Sequence, residues 1–435
     1  MSTVAFATLG CRLNQVDTQE MKARLEARGF ETVPFETRAD VVVVNSCTVT
    51  ARADFSDRQM VRRAAREHPG ARVVVTGCWA QTNPTAAVAT GADLVVGNAD
   101  KHRIADLVES LLADASAPPR IAVSDLAGAT TIADAPLATT PGRSRAFLKV
   151  QEGCQHRCAF CIVPLARGAS RSQRPDVVVA QVRRLVDAGH PEVVLTGVDL
   201  GHYGADLTPR TTLATLLRDL ETVPGLRWLR LSSILPAYVT AELLDVIAGS
   251  AVVAPHFHIP LQSGSDRVLR GMRRPYSVRM YRDVVERLAA RVPGLGLGAD
   301  VIVGFPGETD ADFAATVRLV DELPFSYLHV FAYSDRTGTE AATRPGRVDP
   351  RTIARRSAVL RARSGAKARA FREALVGRTV DALVLETRDR ATGGLVGLTG
   401  SYVEVVFDGP DSLMRRLVRA RVTDAGAERA RGEAA

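Results

Sequence analysis

EGCQHRCAFC, residues 152–161, sets Cys154, Cys158 and Cys161 in a CxxxCxxC spacing, with no fourth thiol nearby. A structural zinc takes four protein ligands, so three cysteines point to a group that leaves one position open to something other than protein. A [4Fe–4S] cluster is such a group, because three thiolates leave one of its four irons exchangeable. The run AFLKVQEG (146–153) leads into these thiols and opens a series: EVVLTG, WLRLSSI, HFHIPLQS, LGADVIVGFPG and YLHVFAYS. Helical segments such as RPDVVVAQVRRLVDAG and ADFAATVRLVDEL separate these runs. Six βα units in series predict an incomplete (β/α)6 barrel, with the cysteines after its first strand, on the face where such barrels do chemistry.

Upstream, TVAFATLG, DVVVVNSC, ARVVVTGC and DLVVGN alternate with helical patterns such as NQVDTQEMKARLEARG and ADFSDRQMVRRAARE. That alternation predicts a doubly wound parallel sheet. Cys11, Cys47 and Cys78 each stand at the C-terminal end of one of its strands, and those ends form the edge where ligands bind. A disulfide framework is disfavoured in a long chain of cytosolic character. Inert burial is the plain alternative for any one cysteine, but three delivered to one edge argue a second three-thiolate site and a second [4Fe–4S] cluster. Residues 114–143, rich in Ala, Thr, Pro and Gly, read as a linker holding one short strand, IAVSDL. The expected organisation is an N-terminal domain at 1–113, that linker, a barrel domain at 144–372 and a last module at 373–435.

At 435 residues the chain is long enough for two or three domains, and 46% hydrophobic with 24% charged residues suits a globular protein. No apolar run approaches the length of a membrane span, and MSTVAFATLGCRLNQ lacks the features of a secretory signal; a cytoplasmic location and no membrane partner are expected. The formal net charge of +8 fits a polyanionic partner, although an Arg- and Ala-rich composition gives the same sign without one. Residues 351–372, RTIARRSAVLRARSGAKARAFR, carry eight Lys or Arg and no acid, which reads as a helical face for phosphate contacts. Residues 374–435 read as a small all-β module with Gly turns.

CxxxCxxC with Phe160 before the third cysteine, followed by such a barrel, resembles the radical S-adenosylmethionine superfamily. The resemblance implies that Cys154, Cys158 and Cys161 are the catalytic ligands. Their open iron would bind the amino and carboxylate groups of S-adenosyl-L-methionine, and a reduced cluster would cleave it to a 5′-deoxyadenosyl radical. Nearly the whole chain is similar to the methylthiotransferases of that superfamily. The similarity is carried by TLGCRLNQ, NSCTVT and TGCWAQ around the first three cysteines. It continues in EGCQHRCAFCIVPLARGASRS, LTGVDLGHYG, LSSILPA, HIPLQSGSDRVLRGMRR, DVIVGFPGET and FAYSDRTGT. It implies that residues 374–435 are an RNA-binding TRAM β-barrel. It also implies cofactor contacts from Phe160, from Thr196 and Gly197 to the methionyl ammonium, from Ser233 to a ribose or carboxylate, from Gln262, and from Gly304 beneath the adenine. HIPLQSGSD also offers His258 to the same face as Gln262. Plain alternatives are a tight turn for Gly197, helix capping for Ser232 and Ser233, a satisfied core position for His258 and a structural role for Asp300.

Sulfur insertion at a C–H bond with no acidic proton is beyond general acid–base catalysis and within reach of a carbon radical. By the same resemblance, the cluster on Cys11, Cys47 and Cys78 presents a sulfur methylated by a first S-adenosylmethionine, while a second supplies the radical. CRLNQVDTQ, NSCTVT and TGCWAQ are most similar to the branch acting on N6-threonylcarbamoyladenosine at tRNA position 37. Arg12-Leu13, Ser46 and Trp79 depart from its pattern beside cluster ligands. The alternatives are isopentenyladenosine at the same position, a ribosomal-protein aspartate, or a non-catalytic RNA-binding protein stabilised by a metal. The implied partners are tRNA, an electron donor protein and a sulfur donor.

Overall fold

The computed structural model describes residues 1–114, 118–134 and 142–435; part of the stretch expected to be a linker lies outside them. Two compact units are present. One comprises Met1–Leu137, Gln151–Gln173 and Ser334–Ala342; the other comprises Ala138–Val150, Arg174–Tyr333 and Thr343–Ala435. No helix among the described residues is long and apolar enough to cross a membrane.

In the first unit, β1 (Thr3–Thr8), β2 (Glu31–Val33), β3 (Val41–Ser46), β4 (Arg72–Gly77), β5 (Leu94–Val96) and β6 (Arg120–Ala122) form one sheet, ordered β2-β1-β3-β4-β5-β6. Every pairing is parallel. The helices are α1 (Arg12–Glu26), α2 (Ala51–Glu67), α3 (Cys78–Thr82), α4 (Pro84–Ala89) and α5 (Ile104–Ala113). The sheet is doubly wound because its Val runs are apolar on both faces. Val42, Val44, Val73 and Val75 pack with Val61 and Trp79 on one side. Val41, Val43 and Val74 pack with Met21, Leu25, Ile104 and Val108 on the other. The strand order reverses between β1 and β3, and such a switch point opens a crevice at the carboxyl ends of the strands. The sixth strand falls in the stretch read as linker. Three residues long, it overlaps the short strand expected at IAVSDL and is secured by pairing with Leu94–Val96.

After β7 (Arg145–Lys149), which belongs to the second unit, the chain returns to the first with β8 (Gln151–Glu152), α6 (Val163–Arg167) and β9 (Arg171–Ser172). β8 and β9 pair antiparallel. The CxxxCxxC stretch lies between them, so all six cysteines belong to the first unit.

The second unit has six parallel strands in two sheets. β7 lies beside β10 (Glu192–Thr196) and β11 (Trp228–Leu231); β12 (His256–His258) lies beside β13 (Gly296–Val303) and β14 (Tyr327–Ala332). A parallel bridge from Leu229 to Val253 extends β11 toward the second set. All six apolar runs of the sequence are strands. α7 (Pro175–Asp187), α8 (Leu213–Glu221), α9 (Ala241–Gly249), α10 (Asp266–Gly271), α11 (Val278–Arg291) and α12 (Asp310–Glu322) separate them, and α13 (Pro350–Glu373) follows. One core joins strand residues Leu148, Leu195, Leu229, Leu297 and Val301 to helix residues Val182, Leu217 and Leu288.

The last module is a closed barrel, β15 (Thr379–Arg388), β16 (Leu395–Thr399), β17 (Glu404–Phe407), β18 (Leu417–Asp424) and β19 (Ala430–Ala434), ordered β15-β16-β17-β19-β18. The run GLVGLTGSYVEVVF is two strands, and the Ala-rich tail supplies the fifth. The tail's composition hides its role: β19 pairs parallel to β17 and antiparallel to β18, closing the barrel. The β16–β17 turn is anchored to the amino ends of the parallel strands. Buried Arg230 donates to the carbonyls of Thr399 (3.2 Å) and Gly400 (2.8 Å) and to Glu192 (2.8 Å). Tyr402 stacks on His256 with ring centroids 4.4 Å apart.

Candidate metal centres and cofactor residues

β1, β3 and β4 are neighbours in register. Thr8 pairs with Asn45 and Ser46 with Gly77, so their continuations, carrying Cys11, Cys47 and Cys78, leave one sheet edge together. Two glycines permit the approach. Gly10 (φ +94°) has its missing Cβ position 2.7 Å from the Cys47 Cβ and 2.8 Å from its Sγ; that of Gly77 (φ +97°) lies 2.3 Å from the Ser46 carbonyl oxygen. Any side chain at either position would push the loops apart, and both backbones are left-handed. None of the six cysteines is in a disulfide; Cys47 and Cys78 are buried and Cys11 is exposed.

Burial pushes the Cys47 thiol up to about 12, and the neighbouring Cys78, Cys11 and Asp57 add to the rise. Its backbone N–H donates to both oxygens of Asp57, at 3.2 and 3.1 Å, a carboxyl that burial pushes up to about 8. The buried Cys47 thiol does not ionise unaided near neutral pH; a multivalent metal centre deprotonates such a ligand as it binds. The Asn98 amide lies 3.8 Å from the Cys78 Sγ, an N–H···S contact of the kind that tunes iron–sulfur clusters. The donor set therefore fits a cluster with one open metal position, and does not fit a closed four-ligand zinc site.

Cys154, Cys158 and Cys161 are each partly exposed, with Phe160 half-buried beside them. The Cys161 N–H donates to the Cys158 carbonyl at 3.0 Å, and the Cys154 N–H to the Gly168 carbonyl at 3.0 Å, so the loop is wound tightly on itself. The segment Ser334–Ala342 tethers both triads. Ala341 N–H donates to the Ala159 carbonyl at 2.7 Å, and Arg336 donates to Thr48 and to Asp54, each at 2.6 Å. Sequence reasoning also missed Asn14, Asp17 and Arg167, all fully buried in this unit. The available signal was two polar residues on the apolar face of α1, three apart, where Leu13, Val16 and Met21 are also buried.

In the second unit, Thr196 ends β10 and is buried. The next residue, Gly197, shares two hydrogen bonds with the Ser232 hydroxyl, at 3.3 and 3.5 Å, while Ser233 stands next in line after β11 and is half-buried. Gln262 has a left-handed backbone, φ 66°, and its buried side-chain oxygen has no protein partner. Strain and an orphaned acceptor in one residue are marks of a ligand contact. Gly304 differs from its expected employment. Its N–H donates to Glu308 at 2.9 Å, and the space a Cβ would take is filled by Ile353 of α13 at 2.4 Å, so a neighbouring helix accounts for the glycine.

His258 and Asp300 are 2.9 Å apart and His329 lies 3.3 Å from the same carboxylate oxygen. Burial would raise the Asp300 carboxyl, but the hydrogen bonds from the two imidazoles outweigh it and hold it well below the usual range. On α13 the one-sign face is partly spent on the protein itself. Arg356 is buried against Glu308 and Asp310, both at 2.7 Å; Arg363 meets Asp321; and Arg372 caps the carbonyls of Ala425 and Ala427. Arg351, Arg355 and Arg361 are exposed.

Residues 3–97 match the family described as "Uncharacterized protein family UPF0004", and residues 148–320 match the radical SAM superfamily. The threonylcarbamoyladenosine tRNA methylthiotransferase MtaB of Bacillus subtilis is 39% identical over 430 residues, covering 98% of this chain and 95% of the relative. The chain belongs to the radical S-adenosylmethionine methylthiotransferases. It is therefore an enzyme. Another member of the family, the tRNA-2-methylthio-N(6)-dimethylallyladenosine synthase of Moorella thermoacetica, is 35% identical over 99% of this chain and 98% of its own. Among solved structures, the radical S-adenosylmethionine methyltransferase TsrM of Kitasatospora setae is similar in fold, with a TM-score of 0.57 at 17% identity, over 79% of this chain and 77% of its own.

Proposed function

We propose that this methylthiotransferase inserts a methylthio group at C2 of N6-threonylcarbamoyladenosine at tRNA position 37. The observation that carries the reading is the gathering of Cys11, Cys47 and Cys78 at one sheet edge, in a chain that also has the CxxxCxxC stretch. A radical enzyme that only cleaves S-adenosylmethionine has no need of the second triad. The six parallel strands of the second unit act as a partial (β/α)6 barrel, and the closed C-terminal barrel acts as the RNA-binding module.

Cys154, Cys158 and Cys161 would hold a [4Fe–4S] cluster, which supplies the electron for opening the sulfonium of S-adenosylmethionine. Cys11, Cys47 and Cys78 would hold a second cluster that carries the sulfur. The chain's own residues then position and shield. Thr196, Gly197 and Ser233, at the ends of β10 and β11, offer hydroxyls and backbone N–H groups to the methionyl and ribose parts. The Gln262 oxygen accepts from a donor of the cofactor, which ends its buried isolation. Phe160 excludes water beside the site triad. An electron donor protein and a sulfur donor act from outside, in the cytoplasm.

Threonylcarbamoyladenosine is favoured over isopentenyladenosine by the motif CRLNQ and by relatives of that activity at 38–39% identity. Nucleoside analysis of tRNA from a deletion strain tests it. Loss of the 2-methylthio form with retention of the threonylcarbamoyl precursor is expected; loss of the methylthio form of isopentenyladenosine instead, or unchanged tRNA, contradicts it.

A further inference from the structure

Arg167 is deeply enclosed in the first unit, 2% exposed at its side chain. Its guanidinium donates to Glu152 at 2.7 Å, to Asn14 at 2.6 Å and to Asp17 at 3.0 Å. Asn14 passes this on. Its amide donates to the carbonyls of Leu9 and Ser46, both at 2.8 Å, which are the residues leading into Gly10-Cys11 and into Cys47. The Asn98 amide that faces the Cys78 Sγ also donates to the Ala166 carbonyl at 2.6 Å, one residue before Arg167. Glu152 stands two residues before Cys154. The Arg167 side chain therefore braces the loops of Cys11 and Cys47 through Asn14 and the start of the CxxxCxxC stretch through Glu152, while the Cys78 loop is tied to the neighbouring main chain at Ala166.

Charge points the same way. Lys101 meets Asp17 at 2.7 Å and Arg171 meets Glu152 at 3.9 Å, so among the described residues of this buried set three cations face two carboxylates. Burial works against the guanidinium's charge, but Cys78, Asp17, Glu152 and Cys11 outweigh it. A four-iron cluster on three thiolates is anionic and becomes more so on reduction, and local charge and hydrogen bonding set its potential. A fixed cation in a dry site favours the more negative state.

We propose that Arg167 is a positioning residue for the N-terminal triad, bracing the loops of Cys11 and Cys47 through Asn14 and raising the reduction potential of the cluster held there. This rests on the reading that Cys11, Cys47 and Cys78 hold a cluster. The test uses the full chain with Cys154, Cys158 and Cys161 replaced by Ala, reconstituted anaerobically, so that only the N-terminal cluster remains. If this parent takes up no iron and sulfide, the underlying reading fails, and the proposal with it. If it does, its midpoint potential is read by electron paramagnetic resonance during a redox titration. Arg167→Gln is expected to shift the potential to a more negative value, Arg167→Lys to keep it near the parent, and Asp17→Asn to shift it to a more positive value. Opposite signs for Arg167→Gln and Asp17→Asn are a signature that loosened packing does not give. Unchanged potentials, or shifts of one sign in both, overturn the proposal. Should Arg167→Gln fail to assemble, the Asp17→Asn shift decides: upward supports it, and no shift or a downward one overturns it.

Discussion

Cys47 and Cys158 carry the same atom and are assigned different work. Cys158→Ala is expected to abolish reductive cleavage of S-adenosylmethionine. Cys47→Ala is expected to leave cleavage and to lose methylthio product; chromatography of 5′-deoxyadenosine and of modified tRNA separates the two. Gly10→Ala places a methyl 2.7 Å from the Cys47 Cβ in a left-handed backbone, a strain of about 1–3 kcal/mol. Its iron content should fall by the N-terminal share while the site cluster is kept. Gln262→Ala removes the orphaned acceptor and should weaken S-adenosylmethionine binding by about 1 kcal/mol, several-fold in Kd, measured by equilibrium dialysis. The gathering of Cys11, Cys47 and Cys78 at one sheet edge was legible in the sequence because each follows an apolar strand run. Asn14, Asp17 and Arg167 were not, since polar residues on a helix's apolar face declare themselves only when their partners, up to 153 residues away, are in place.

At the scale of elements, the Val-rich strands were legible from composition, as both faces of a parallel sheet must be apolar. β6 is legible as the short strand IAVSDL, but as part of a linker and not of the sheet; β19 was not legible, because its pairing with β17 and β18 stabilises it and its own side chains do not. α13 refines its sequence reading: its basic run divides into residues that hold the fold and residues that stay exposed. Arg356→Ala strands Glu308 in the interior and should cost about 3 kcal/mol in chemical denaturation. Replacing exposed Arg351, Arg355 and Arg361 with Ala should leave stability unchanged and flatten the salt dependence of tRNA binding, by about one unit of slope for each arginine that no longer meets a phosphate. α12 carries a capping box from Thr309 and Asp312, and Asp312 also accepts from Ser265 at 2.6 Å and from Arg267. Burial opposes the Asp312 charge, but these donors prevail and hold its carboxyl well below the usual range. A depressed folded value means that its contribution is complete above the ordinary carboxylate value of about 3.9. Asp312→Asn should therefore lower stability by a constant amount from pH 5 to 8, with the difference from wild type shrinking only as pH falls below about 4.

At the scale of the whole molecule, each compact unit is assembled from chain segments far apart in sequence. The first is completed by Gln151–Gln173 and Ser334–Ala342, stretches that no local pattern assigns to it. A fragment ending at residue 137 lacks Arg167, and buried Asp17 is left with Lys101 but without the guanidinium; it should melt well below the full chain in circular dichroism. The central claim is that the six thiols form two separate three-ligand centres. It is tested most directly by iron and acid-labile sulfide after anaerobic reconstitution of the wild type and of the two variants with Cys11, Cys47 and Cys78, or Cys154, Cys158 and Cys161, replaced by Ala. The expected contents are about eight of each per wild-type chain and about four of each in either variant. A wild type holding four of each, unchanged when Cys11, Cys47 and Cys78 are removed, or holding zinc without sulfide, would contradict it.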